Sequence, residues 1–320
     1  MARPSRAQEP SKPSGEPPAT PPAASNPPSP PTPGVLPSPG HDQPVFVAEQ
    51  RKEASLDPLE PPSLPDLTHA DATLDLDYTG AGIGQGSLGQ TLTWMALLRG
   101  EIPLTTRAWH FGAAWDFASA ASEGRGRTLI YGNPEVWVRG AGWHASGLVG
   151  GGGLGIVIPM PRDLDADGRS VLDAVRVIRP WDSAYFASDA LTLRPTFDAR
   201  LVLEPFVLQL RQGLDWSFDF SRDRSDILAR IGSYFAVSPL PWTALGVELW
   251  QTYSVTQEVR DDQRAAITLA PSARVRLGPV QPGVSVLFPI TTPLEGIARD
   301  YFAVRIHVRL ALGETAELTY

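Results

Sequence analysis

Arg305, His307 and Arg309 stand two residues apart near the end of the chain, and Asp75 and Asp77 stand two apart near its first third. The same step separates Asp198 from Arg200 and Arg274 from Arg276. A two-residue step puts side chains on one face of an extended strand, so each set is a short charged ladder. Guanidinium groups grip carboxylate and phosphate in a planar fork. Carboxylates set among them either neutralise the ladder or tune the ion preference of a wall. The sharpest local motif is of another kind: Asp163, Asp165 and Asp167 alternate ahead of Gly168. Alternate aspartates before a glycine can wrap oxygen ligands around calcium, and this loop is the one candidate cofactor site. The glutamate that closes such a loop at its twelfth position is replaced by Ala174. The competing reading is an acidic loop with an aspartate capping a short helix across Val171 to Val177.

Catalytic patterns are absent from the sequence. There is no nucleophile-elbow motif, and the glycine-rich run from Gly147 to Gly155 carries no P-loop lysine. That run is expected to ease a turn and strand curvature. A serine–histidine pair on one strand face is missing too, because His110 and His307 take the parity opposite to Ser233. The chain is therefore expected not to be an enzyme.

The element that carries the Arg305 ladder explains the spacing. From Tyr301 to Leu312 the sequence alternates without a break: Phe302, Val304, Ile306, Val308, Leu310 and Leu312 on one face, the cations on the other. Only a strand sorts residues this way. Twelve such segments lie near 72–79, 91–98, 107–118, 134–143, 153–160, 190–203, 206–220, 227–237, 243–255, 265–277, 280–290 and 301–312. Several reach the roughly 9–11 residues that a tilted strand needs to cross a bilayer. The second, fourth and fifth alternate least well. Connections after even-numbered segments are mostly short, as at Glu204-Pro205 and Gly278-Pro279, and those after odd-numbered ones mostly long, as from Pro161 to Asp189. Trp115, Trp216, Phe220, Tyr253 and Phe302 fall near one set of strand ends, and Trp109, Phe206, Phe235 and Trp242 near the other. Aromatic girdles at two interfaces take this form.

These features resemble the Gram-negative outer-membrane β-barrels, in particular twelve-stranded proteins of the channel type, over residues 71–320. The resemblance implies an antiparallel up-and-down transmembrane barrel. It also implies lipid as its solvent and the barrel-assembly machinery as a partner that recognises a closing aromatic residue, here Tyr320. Gly313 and Glu314 interrupt the apolar face of that signal. With the apolar face outside, the lumen is lined by Asp75, Asp77, His110, Asp116, Arg194, Asp198, Arg200, Arg211, Arg230, Arg274, Arg276, Arg305, His307 and Arg309. Closure would bring Arg305 and Arg309 to Asp75 and Asp77.

The bulk numbers fit but do not choose. A net charge of −8 gives no electrostatic case for nucleic acid. The sequence has no cysteine, and its lysines are Lys12 and Lys52, so later cations are all arginine. Residues 1–70 hold 19 of the 33 prolines and few aromatics, which predicts a disordered periplasmic linker. No apolar stretch follows Met1 to Arg6, so a leader is expected to have been removed or to lie upstream. Three functions stay open: a passive channel for small polar or anionic solutes, a non-conducting structural or adhesive anchor, and a soluble β-barrel or sandwich whose apolar faces meet a core.

Overall fold

The computed structural model describes residues 72–312, apart from 85–87, 89, 105–108, 123–125, 146, 163, 221–222, 257–263 and 292–300. The expected linker over residues 1–70 and the segment after Leu312 lie outside the described residues. Thirteen strands are described. They are β1 (Ala72–Ile83), β2 (Thr91–Pro103), β3 (Trp109–Ser122), β4 (Arg127–Tyr131), β5 (Glu135–Ala145), β6 (Leu148–Val157), β7 (Ala190–Leu203), β8 (Phe206–Asp219), β9 (Arg224–Leu240), β10 (Thr243–Ser254), β11 (Ala265–Val275), β12 (Val280–Thr291) and β13 (Tyr301–Leu312). One helix, α1 (Ala166–Ile178), and a 3₁₀ segment, Pro180–Phe186, lie between β6 and β7.

The strands pair antiparallel in one sheet that closes on itself. β1 joins β13 with Asp75 opposite Arg309, Asp77 opposite His307 and Thr79 opposite Arg305. β3 pairs with β5 through Trp109–Ala114 and with β4 through Phe117–Ala121. The barrel thus has twelve positions plus the short strand β4, which continues the line of β5 across a break at Gly132-Asn133-Pro134. Ala72 faces Leu312, so the first and last strands open on one rim. That rim carries the short connections, among them 146–147, 204–205 and 241–242, and the opposite rim carries 158–189 and 255–264.

The faces decide between lipid and core. In β13, Phe302, Ile306 and Leu312 are 53%, 51% and 55% exposed, whereas Arg305, His307 and Arg309 are 2%, 2% and 3% exposed. Trp109, Trp216, Phe206, Phe235 and Trp242 are exposed as well, and Asp75, Asp77, Asp116, Asp198 and Arg274 are buried. A soluble protein would hide the first set and hydrate the second. The soluble barrel or sandwich is therefore ruled out. The closed ladder pairs the strands' backbone groups without leaving an edge, as a spanning sheet in lipid requires. The chain is a transmembrane β-barrel, and its fold and apolar belt are those of the Gram-negative outer membrane.

Strand boundaries follow the expected ones closely from β7 to β13. The fifth expected strand, 153–160, instead begins at Leu148, and the turn before it shrinks to residues 146–147. The glycines lie inside β6 because neighbours press on it. A Cβ on Gly151 would sit 2.3 Å from the Gly140 carbonyl oxygen, and one on Gly155 would sit 2.2 Å from Glu135 Oε1. Gly147, with φ +83°, makes the turn itself.

Placing a charge on the belt tests the orientation. Ile306→Arg, mid-strand and lipid-facing, should lower barrel stability by about 2–4 kcal/mol, measured by urea unfolding in lipid vesicles. An unchanged stability would contradict the outward placement of this face.

Candidate functional site

Most of the charged residues expected in the lumen face inward and meet there. Asp75, Asp77, His110, Asp116, Arg194, Asp198, Arg200, Arg230, Arg274, Arg305, His307 and Arg309 are buried inside the barrel. Arg211 is half-buried, and Arg276 lies one residue beyond β11 at the short-turn rim. The seam pairs form as closure implies: Arg305 Nε donates to Asp77 Oδ1 and Oδ2 at 2.9 and 2.8 Å. Arg309 Nε donates to Asp75 Oδ1 at 2.7 Å, and His307 Nε2 lies 3.2 Å from the same oxygen. Around the wall, Arg211 Nη2 donates to Asp198 Oδ2 at 2.9 Å and Arg139 Nε to Glu101 Oε1 at 2.8 Å. Arg194 spans Asp215 and Glu135, each at 2.9 Å, while Arg230 Nε lies 2.7 Å from Asp215 Oδ1. The arginine track is thus largely an ion-pair network. Asp116 is the exception, a buried carboxylate whose two oxygens find no hydrogen-bond donor among the described residues.

The long connection after β6 does not stay outside. It folds into the barrel and fills the outward half of the lumen. Asp165 caps α1 by accepting from the Gly168 amide at 2.7 Å. Val171, Leu172, Ala174, Val175, Val177 and Ile178 then bury themselves. They share one apolar cluster with Ala81, Ile83, Met95, Ala118, Ala120, Ile130 and Val157 of the wall. The walls carry small residues where the helix needs room. Of the acidic motif, Asp165 is the cap, Asp167 lies in the first turn of α1, and Asp163 lies outside the described residues. Among the described residues no group of three His, Cys, Asp or Glu side chains is arranged to hold a metal.

Polar anchors hold this plug. Arg179 Nη1 donates to Asp77 Oδ1 at 3.1 Å and to Thr79 Oγ1 at 3.3 Å, and its Nε donates to Asp182 at 2.7 Å. Burial opposes the Arg179 cation, but Asp182 and Asp77 outweigh it, so the guanidinium holds its proton more firmly than usual. Trp181 stacks on Trp250 at 5.0 Å, and Arg194 Nη2 donates to the Trp181 carbonyl at 3.3 Å. The Tyr185 hydroxyl bonds Glu135. Burial and that carboxylate push the phenol far above its ordinary range, so it stays a donor. Asn133, in the break between β4 and β5, closes the set. Its backbone N–H donates to the Tyr185 carbonyl at 2.6 Å, its Nδ2 donates to the Ala187 carbonyl at 2.7 Å, and its Oδ1 accepts from the Met160 amide at 3.0 Å.

Below the plug lies a polar cavity of ≈ 80 Å³. Arg99, Arg139, Arg179, Arg194, Arg211, Arg230 and Arg305 line it, together with Glu135, Asp182, Trp137, Trp181, Tyr185 and Trp250. Sequence reasoning missed Arg99 and Glu101 because the second expected strand stopped at residue 98. Their parity with Thr91 and Thr93 was the available signal. Asn133, Arg179 and Tyr185 had no comparable signature, since loop residues have no fixed period.

No protein-family model and no curated protein sequence matches the chain. Its structure is similar to the crystal structure of an outer membrane channel from Pseudomonas putida F1, with a TM-score of 0.58 and 11% identity over 79% of this chain and 100% of that one. It is also similar to the KdgM porin, with a TM-score of 0.46 and 12% identity over 75% of this chain and 99% of that one. The protein has the fold of an outer-membrane β-barrel.

Proposed function

We propose that the protein is a gated outer-membrane channel for small polar solutes, with a preference for anions, and that residues 158–189 are its gate. On this reading it performs no catalysis. Its partners are the bilayer, the barrel-assembly machinery and the solutes themselves. One observation carries the proposal: the wall's own ion pairs stay intact when the plug leaves. Asp77 keeps Arg305 when Arg179 departs, and Glu135 keeps Arg194 when Tyr185 departs. Arg179 takes its own partner, Asp182, with it. What holds the gate shut is mainly apolar, about 1.5–3 kcal/mol for each fully buried Val, Leu or Ile side chain of α1. The layer behind the gate is rich in arginine N–H donors, which favours anions.

A non-conducting anchor is the second reading, favoured by the pairing of most lumen charges and by the filled outward half. Planar-bilayer recording separates the two. The wild-type channel should be mostly closed, with rare steps. A variant with Ala166–Ile178 replaced by a short Gly/Ser linker should give sustained, anion-preferring steps. A folded, heat-modifiable barrel that stays silent in both forms would defeat the channel and support the anchor.

Seating of the gate has its own test. Asn133→Ala removes the amide that holds the Ala187 carbonyl and the Met160 N–H. It should raise the trypsin cleavage rate at Arg169 or Arg176 about tenfold, as loss of one to two hydrogen bonds implies. An unaltered cleavage rate would count against Asn133 as the anchor.

A further inference from the structure

We infer that the cavity beneath the plug is a binding site for one compact oxyanion of the phosphate or sulfate class, held by Arg99 and Arg230. The inference rests on the anion-preferring channel reading and names the ligand class of that same site. Six of the seven cavity arginines touch a carboxylate: Arg139 with Glu101, Arg179 with Asp182, Arg194 with Glu135, Arg211 with Asp198, Arg230 with Asp215 and Arg305 with Asp77. Arg99 makes no direct ion pair among the described residues, though Asp75, Glu135 and Asp182 act on it at longer range. Its guanidinium lies 5.8 Å from the Trp137 ring centroid. Arg230 is buried, and its Nη2 finds no acceptor among the described residues.

Several of these carboxylates stand off the cavity, since Glu101, Asp198, Asp215 and Asp77 pair with its arginines without lining it. What faces the cavity is therefore chiefly N–H donors. Guanidinium cannot shed its proton to relieve burial, so the buried Arg230 Nη2 calls for an acceptor that the described residues do not supply, and an anion also answers the charge. The volume, ≈ 80 Å³, leaves room for a tetrahedral oxyanion. An oxyanion offers several acceptors in that space and matches the guanidinium fork, which a halide does not. Asp116, the nearest unpaired carboxylate in sequence register, faces Leu97 across the β2–β3 ladder and does not line the cavity.

Isothermal titration of the full chain, folded in detergent and free of phosphate, tests this with inorganic phosphate and then sulfate, at constant ionic strength set with sodium chloride. Expected is one saturable site for both oxyanions, weakened about tenfold or more in Arg99→Gln and in Arg230→Gln, since each loses a charge-assisted bond. Arg99→Lys, which keeps the charge and loses the fork, should fall between. No saturable heat would overturn the site, as would unchanged affinity in Arg99→Gln with the barrel still heat-modifiable. If Arg99→Gln fails to fold, Arg99→Lys and Arg230→Gln carry the decision. Bilayer recording on the same preparation keeps the two readings apart. Binding by a silent barrel retains the site and defeats the channel, whereas conduction without binding defeats the site and leaves the channel.

Discussion

Asp77 is the point where closure of the barrel and seating of the plug meet. Arg305 reaches it from β13, the last strand, and Arg179 reaches it from the plug. A buried carboxylate without partners would cost several kcal/mol, so the residue demands at least one cation. Arg305 meets that demand from the neighbouring strand, where it stands opposite Thr79 in the ladder. The seam is thereby neutralised in any state of the plug, and Arg179 is an addition to it. The pair therefore fixes two things at once: which strands close the ring, and how deep the plug descends before it finds its partner.

The plug also explains which parts of the fold were legible in the sequence. β7 to β13 alternate sharply because their outer faces meet lipid while their inner faces carry Arg, Asp, Glu or Thr. β2 loses that contrast because Met95 packs on the plug and Leu97 packs inward on Ala114 and Trp137, and the inner wall is apolar at Ala118, Ala120 and Ile130 too. Where a wall faces an apolar plug it turns apolar on both sides, and a two-residue period fades. β6 fades for a second reason, since Gly140 and Glu135 crowd its glycines. The lumen ladder could be placed from parity alone, and the seam pairs followed from closure. That the connection from 158 to 189 turns inward could not be placed. Its helix was visible as an apolar run behind an aspartate cap, but nothing local says whether such a run covers a wall from above or enters between walls.

The division of labour inside the barrel follows from these contacts. The plug buries its apolar side chains against alanines and a few larger wall residues, and such contacts are lost and regained without orphaning any polar group. Its contacts to wall carboxylates are duplicated there: Asp77 has Arg305, Glu135 has Arg194, and Asp182 travels with Arg179, whereas the neutral bonds of Asn133 are made to the plug alone. A structural filler need not be arranged this way. Had the plug supplied the sole partner of a wall charge, withdrawing it would exchange an ion pair for water and change the charge presented by the wall. Here the reversible part of the interface is hydrophobic and the costly part stays on the wall. On the proposed reading, the wall charges that a solute would meet are therefore the same whether the plug is seated or withdrawn, and what leaves with the plug is the self-paired Arg179–Asp182 couple, so gating and selection become separable properties of one lumen.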